Sequence, residues 1–194
     1  VIATDDIYEH ILWEGSTFCN ILNACPELYE QTVVVNGVSK SFAMTGWRIG
    51  YAAGPADLIK AMKKVQSQST SNPCSIAQAA ATTALEVGTA CVKDMVVAFK
   101  RRHDLLVDGL NQIPGFHTLP VDGTFYSYPD VSEAMQRLNI ENDVAFAELL
   151  LNKLQIAVIP GSAFGTPGYI RLSYATSDAN LIEAIERLKT LYIS

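Results

Sequence analysis

Two short apolar runs, VIAT at residues 1–4 and TVVV at residues 32–35, constrain this chain more than any other feature. Neither alternates polar with apolar residues over its length, so a strand built from either is expected to be covered on both faces, as in a parallel sheet. Each run stops abruptly, in Asp5 and Asp6 after the first and in Asn36 and Gly37 after the second. A parallel pair needs a crossover of roughly a dozen residues or more, and the less regular stretch through Glu30 supplies it. The expected class is α/β. Chemistry carried by such a sheet belongs beyond the carboxyl ends of its strands.

Further along, RIGYAAGP reads as a third strand, stopped by Gly54 and Pro55. Pro55 opens a helix through about Gln66, with Leu58, Ile59, Met62 and Val65 on one face. A second helix is predicted over Ser75 to Val87 and halted by Gly88, and a third, the longest, from about Thr89 to Gln112. Its stripe is Val92, Val96, Phe99, Leu106, Leu110 and Ile113. His103 falls on that stripe and is expected to be a packed, hydrogen-bonded core histidine. After Pro114 and Gly115 the pattern shortens to strands FHTL and TFYSY, a helix over Asp143 to Leu154, strands IAVIP and YIRLSY, and a closing helix capped near Ser177. This half reads as an α+β unit. The expected boundary lies inside the long helix, so that residues 1–95 form part of a mostly parallel α/β domain and residues 96–194 a smaller α+β domain. Three strands make a thin sheet. A preceding N-terminal half is therefore expected to complete the larger domain.

Composition excludes some functions. A formal charge of -6 argues against a nucleic-acid partner or an anionic membrane surface, both of which need a basic face. The dense basic stretch Lys100, Arg101, Arg102 lies within the long amphipathic helix and reads as a solvated face. The cysteines (Cys19, Cys25, Cys74, Cys91) form no C-x-x-C pair and no cluster with His10, His103 or His117, so neither a disulfide scaffold nor a metal site is expected. No apolar run approaches a membrane span, and VIATDD lacks the make-up of a signal peptide. A reduced, cytoplasmic protein is the expectation.

The chemistry concentrates where the strands end. Asp5 and Tyr8 follow the first strand, Lys40 follows the second, and Arg48 stands in Gly46-Trp47-Arg48-Ile49-Gly50. An amine attacks an aldehyde only when neutral, and desolvation or nearby positive charge lowers a lysine toward that state. An aspartate beside such an amine suits pyridoxal phosphate, whose ring nitrogen a carboxylate holds protonated so that the ring can accept electrons. A tyrosine can hydrogen-bond the ring's phenolic oxygen, and arginine's planar fork can grip the phosphate. Asp6 is expected to be a solvent or capping residue. Arg171 alternates with Ile170, Leu172 and Tyr174, which puts it opposite the apolar face of its strand.

GVSKSFAMTGWRIG, residues 37–50, resembles the lysine signature of class I/II pyridoxal-phosphate aminotransferases of fold type I. ATDDIYEHILWEG resembles that family's aspartate-and-tyrosine segment, and YIRLSYATS its C-terminal segment with a carboxylate-binding arginine. These motifs occur in family order along the whole chain. The resemblance implies the C-terminal half of such an enzyme, with pyridoxal 5'-phosphate held as a Schiff base on Lys40. Asp5, Tyr8 and Arg48 would be further cofactor contacts, and Arg171 would bind the substrate carboxylate. It implies an amino acid, with aspartate the best match, and a 2-oxo acid, with 2-oxoglutarate the best match, as substrates, and a homodimer as the assembly. An aromatic or prephenate-type aminotransferase, a lyase of the same fold, and a cofactor-sensing regulator domain are the alternatives. Gly37 departs from the pattern, because many relatives carry a hydroxyl residue three positions before the lysine. In GTFYSYPD, Phe125 is expected to be packing. SQSTSNP, with Thr70 and Asn72, reads equally as a plain loop or as a segment approaching a neighbouring subunit.

Overall fold

The computed structural model describes residues 1–192. The chain divides into two compact units, Val1–Val96 and Val97–Ser194.

In the first unit, β1 (Ile2–Asp5) is followed by a short helix α1 (Ile21–Ala24), whose Asn20 cap accepts from the Leu22 N–H at 2.8 Å. The chain then enters β2 (Thr32–Gly37), which lies parallel to β1 with Ile2 opposite Thr32 and Asp5 opposite Val35. β3 (Gly50–Ala53) adds to the other side of β2 in the antiparallel sense, Gly37 facing Gly50 and Val34 facing Ala53. The strand order is β1-β2-β3. α2 (Ala56–Ser69) begins after Pro55, and α3 (Ser75–Val87) ends where Gly88 turns to φ +70°, a conformation that costs glycine little. A small core of Val38, Ile49, Ala77 and Ala81, with Phe42 and Met44 packed on it, ties the segment between β2 and β3 to α3.

The apolar stripe on one face of α2 is uncovered in this chain: Met62 is 40% and Val65 71% exposed, and no α2 residue is buried. Asp6, expected to be a solvent or capping residue, is not in solvent and is only 8% accessible. Its backbone N–H donates to Val35 O at 2.9 Å and its carboxylate accepts from the Asn20 amide, which fixes the turn after β1.

The long helix is preceded by a 3-10 turn, Gly88–Val92, and α4 itself runs Lys93–Leu110, with the unit boundary inside it. The second unit then forms β4 (Tyr126–Ser127), α5 (Ser132–Arg137), α6 (Asp143–Leu154), β5 (Ile159–Pro160), β6 (Ile170–Ser173) and α7 (Asp178–Lys189). The strands order as β4-β6-β5, antiparallel throughout. The predicted strand FHTL is reduced to a single bridge between His117 and Asp130. α6 is capped by Asn142, which accepts from the Ala145 N–H at 2.9 Å, and α7 by Ser177, which accepts from the Asn180 N–H at 3.2 Å.

One face of β6 closes the core with Ile170, Leu172 and Tyr174. Burial of the Tyr174 phenol, and then the nearby Asp104, pushes its pKa up, and its O–H donates to Thr124 O at 3.3 Å. His103 is 3% accessible. Its Nε2 accepts from the Val121 N–H at 3.0 Å, so the ring proton sits on Nδ1, 2.8 Å from Asp104 Oδ1. The histidine is thus a satisfied core residue. The basic triplet is ion-paired: Lys100 pairs with Asp104, and Arg101 and Arg102 both pair with Asp178. Of the largest fully buried side chains among the described residues, only Ile11 and Val38 belong to the first unit.

Candidate active site

The first unit gathers four candidate residues by register. β1 and β2 run parallel, β1 ending at Asp5 opposite Val35, two residues before β2 ends at Gly37, and β3 starts at Gly50 opposite Gly37. The end of β1, the end of β2 and the beginning of β3 therefore share one edge. Asp5 is the last residue of β1, and Tyr8 lies in the turn beyond it. Lys40 and Arg48 both lie in the connection between Gly37 and Gly50.

That connection is tightly held. Val38 (0% exposed) and Ile49 (8%) plug its two ends into the core, and the Met44 N–H closes on Val38 O at 3.3 Å. Ser41 is 1% exposed and donates to Ile7 O at 3.4 Å, which joins the lysine loop to the turn that carries Tyr8. Lys40 is half-buried, and its carbonyl accepts from the Ala43 N–H at 3.1 Å. Two non-glycine residues take left-handed backbone here, Ala43 at φ +53° and Arg48 at φ +56°, ψ +47°. Each costs of order 1–2 kcal/mol, a local strain that clusters at sites where the surrounding fold over-determines the geometry. Arg48 is exposed, and its Nη1 donates to Thr45 O at 2.8 Å.

Gly37 has a packing reason. A Cβ at this position would stand 2.9 Å from Ile49 O and 3.3 Å from Gly50 Cα. The close approach of β3 to β2 thus leaves no room for a side chain at this position. Asp5 is exposed in this chain, its Oδ1 accepting from the Ile7 N–H at 3.4 Å. Tyr51 faces Asn36 across the pair, and burial together with Glu9 raises its phenol. The N–H groups of Ala77 and Ile76 lower the Cys74 thiol at the start of α3.

Arg171 lies in the second unit, on β6. Ile159 faces it on β5, while Tyr126 on β4 faces Ser173, two residues along on the same side of the sheet. This diagonal arrangement brings the Tyr126 ring to 4.4 Å from the Arg171 guanidinium carbon. Phe164, from the 3-10 turn Gly161–Phe164, approaches the same carbon at 4.4 Å. Phe125, on the opposite side of β4, packs on Phe99 at 5.4 Å between ring centroids, as expected of a packing residue.

Tyr126 and Phe164 are contacts that the sequence reasoning did not single out. For Tyr126 the signal was present: TFYSY alternates in the same period of two that placed Arg171, so Tyr126 and Tyr128 share a face. Phe164 carried no such signal, because it sits in a turn with no periodicity. Among the described residues no group of His, Cys, Asp and Glu could hold a metal ion, and no helix is long and apolar enough to cross a membrane.

Comparison with known proteins bears on the family and the fold. The aspartate/prephenate aminotransferase of Nitrosomonas europaea is 54% identical over 197 residues, which cover 98% of this chain and 50% of that protein. The crystal structure of the aspartate aminotransferase from Rhizobium meliloti superposes with a TM-score of 0.90 at 45% identity, covering 97% of this chain and 48% of that one. A Thermus thermophilus aspartate aminotransferase solved with maleate gives a TM-score of 0.85 at 44% identity, covering 97% and 47%. The chain spans about half the length of the curated relatives it matches. The fold is that of part of a fold-type-I aminotransferase. The family model for aminotransferase class I and II matches residues 1–188, and the chain belongs to that family.

Proposed function

We propose that this chain carries the lysine-bearing half of a pyridoxal-phosphate-dependent aminotransferase acting on aspartate and 2-oxoglutarate. The observation that carries the reading is the shared edge: an amine, a carboxylate, a phenol and a guanidinium from separate sequence segments end at one side of one sheet. That donor set fits the cofactor's aldehyde, ring nitrogen, phenolic oxygen and phosphate. When bound, pyridoxal phosphate supplies an aldehyde that condenses with amines and a ring that withdraws electrons from the substrate's Cα.

The chain's own residues do the rest. Lys40 Nζ would anchor the cofactor and would be the base placed to take the proton from the substrate's Cα. Asp5 holds a proton on the ring nitrogen, Tyr8 hydrogen-bonds the phenolic oxygen, and Arg48 grips the phosphate. Arg171 binds the substrate carboxylate, a role supported by its position on the open face of β6. The division into residues 1–95 of a larger cofactor-binding domain and 96–194 of a small domain, a homodimeric assembly and a cytoplasmic setting belong to the same proposal. They are supported by the family resemblance.

A second reading, with prephenate as the oxo acid, is favoured by the 54% identity to the relative named for both substrates. The test is the intact protein reduced with borohydride and mapped by mass spectrometry, beside a Lys40→Ala variant. The expected result is a phosphopyridoxyl adduct on Lys40 and no turnover of aspartate with 2-oxoglutarate in the variant, its circular dichroism unchanged. An adduct on another lysine, or turnover retained without Lys40, refutes the proposal. Comparing prephenate with 2-oxoglutarate as acceptor separates the two readings.

A further inference from the structure

Arg171 differs from the other arginines of its unit in what it touches. Arg101 and Arg102 pair with Asp178, Arg137 with Glu133 and Arg187 with Glu183. Among the described residues the Arg171 guanidinium meets no carboxylate and no carbonyl; its contacts are the rings of Tyr126 and Phe164, each 4.4 Å away. An ion pair would hold an arginine in place only by spending its N–H donors and neutralising its charge. Ring faces hold it by attraction to the cation and spend no donor.

The second ring is fastened from several directions. Phe164 is 48% exposed, so hydrophobic burial alone gives little reason for a fixed position. Its turn is nonetheless pinned: the Ser162 N–H donates to Asp143 Oδ2 at 2.6 Å, and Asp143, in the first turn of α6, is only 2% accessible. Tyr128 adds a hydroxyl contact to Thr166 Oγ1 at 2.8 Å and packs edge-on against Phe164 at 6.1 Å. A buried carboxylate and a tyrosine are thus committed to placing a ring that stays half in solvent.

We propose that Tyr126 and Phe164 are positioning residues that orient the Arg171 fork for a carboxylate ligand, with Asp143 holding the Phe164 arm. This rests on the reading that Arg171 binds the substrate carboxylate. The rings pre-pay the ordering of a long side chain, so their removal makes each binding event pay it instead.

The experiment titrates the intact protein with maleate, a small dicarboxylate, and follows aspartate kinetics in parallel. From the usual cost of immobilising one flexible side chain, Phe164→Leu and Tyr126→Leu each weaken maleate about threefold and the double variant about tenfold. KM for aspartate rises with them while kcat holds, and Tyr126→Phe, which keeps the ring, binds like the parent. If the double variant binds maleate as the parent does while Arg171→Ala does not, the positioning role is overturned and the Arg171 reading stands. If Arg171→Ala itself leaves maleate binding unchanged, the Arg171 reading falls and the proposal falls with it. A loss of kcat and of folded protein at unchanged maleate affinity also overturns it, because that is the mark of a purely structural role.

Discussion

Replacing Gly37 by serine tests whether the β2–β3 junction needs glycine for space. A Cβ there meets Ile49 O at 2.9 Å, a backbone atom that cannot swing aside, whereas ordinary contact begins near 3.4 Å. Relief therefore requires β3 to retreat by about half an ångström at Gly50, in an interior packed too densely to absorb it freely. Overpacking of this kind costs about 1–3 kcal/mol. Removing glycine's freedom from the unfolded chain returns about 0.4–1 kcal/mol, since Gly37 does not use a positive φ. The steric term wins, and the central expectation is a net loss of about 1.3 kcal/mol, or roughly tenfold in the local opening equilibrium. Hydrogen exchange of peptides covering residues 32–53 in the intact protein reads this directly. Gly46→Ala is the control: nothing lies within 4 Å of its Cβ, so exchange there should be unchanged or slower. Exchange within twofold of the parent in Gly37→Ser, or an equal acceleration in the control, would refute the reasoning.

Arg48→Gly separates strain from function. Glycine takes the φ +56° conformation without penalty, but its freedom when unfolded offsets most of that gain, so stability stays within about 0.5 kcal/mol. Retention of pyridoxal phosphate on dialysis should fall sharply, and undiminished retention would remove Arg48 from the phosphate. The pH response of the second unit is set in part by Asp178. Hydrogen bonds from Arg101 and Arg102 lower its pKa from 3.8 to about 2, so the protonated form is disfavoured in the folded state. Its stabilising contribution is present above about pH 4 and is lost as the pH falls through about 2. Thermal melts between pH 5 and pH 2 should show a steeper decline in the parent than in Asp178→Asn, and parallel declines would show that the pair does not couple to folding.

Local signals carried much of this fold. Pro55, Gly88, Asn142 and Ser177 mark helix ends through φ restriction, left-handed backbone and side-chain caps, each a property of a few adjacent residues. Period-two alternation likewise placed Arg171 opposite Ile170, Leu172 and Tyr174. What escaped depends on partners distant in sequence. Periodicity tells which side of α2 is apolar but not whether anything covers it. Asp6 looks like a solvent residue until Asn20 and Val35 O are brought to it. The shared edge of Asp5, Tyr8 and Lys40 was legible because strand direction decides it, whereas the place of Arg48 there depends on β3 running antiparallel to β2, and the ring contacts on Arg171 depend on a turn whose path has no pattern.

The uneven distribution of buried side chains between the two units bears on the order in which the chain acquires structure. Residues 97–192 hold Phe116, Phe146, Leu150, Ile170 and most of the other fully buried large side chains, enough for collapse around a single centre. The first unit leans on few such residues, and its β1–β2 pair must close a long crossover before it gains anything. On the ribosome the less self-sufficient segment emerges first. Both strand partners of TVVV, residues 2–5 and 50–53, are made before the second unit, so the three strands can pair early, while their few buried side chains leave that sheet marginal until more of the chain is present.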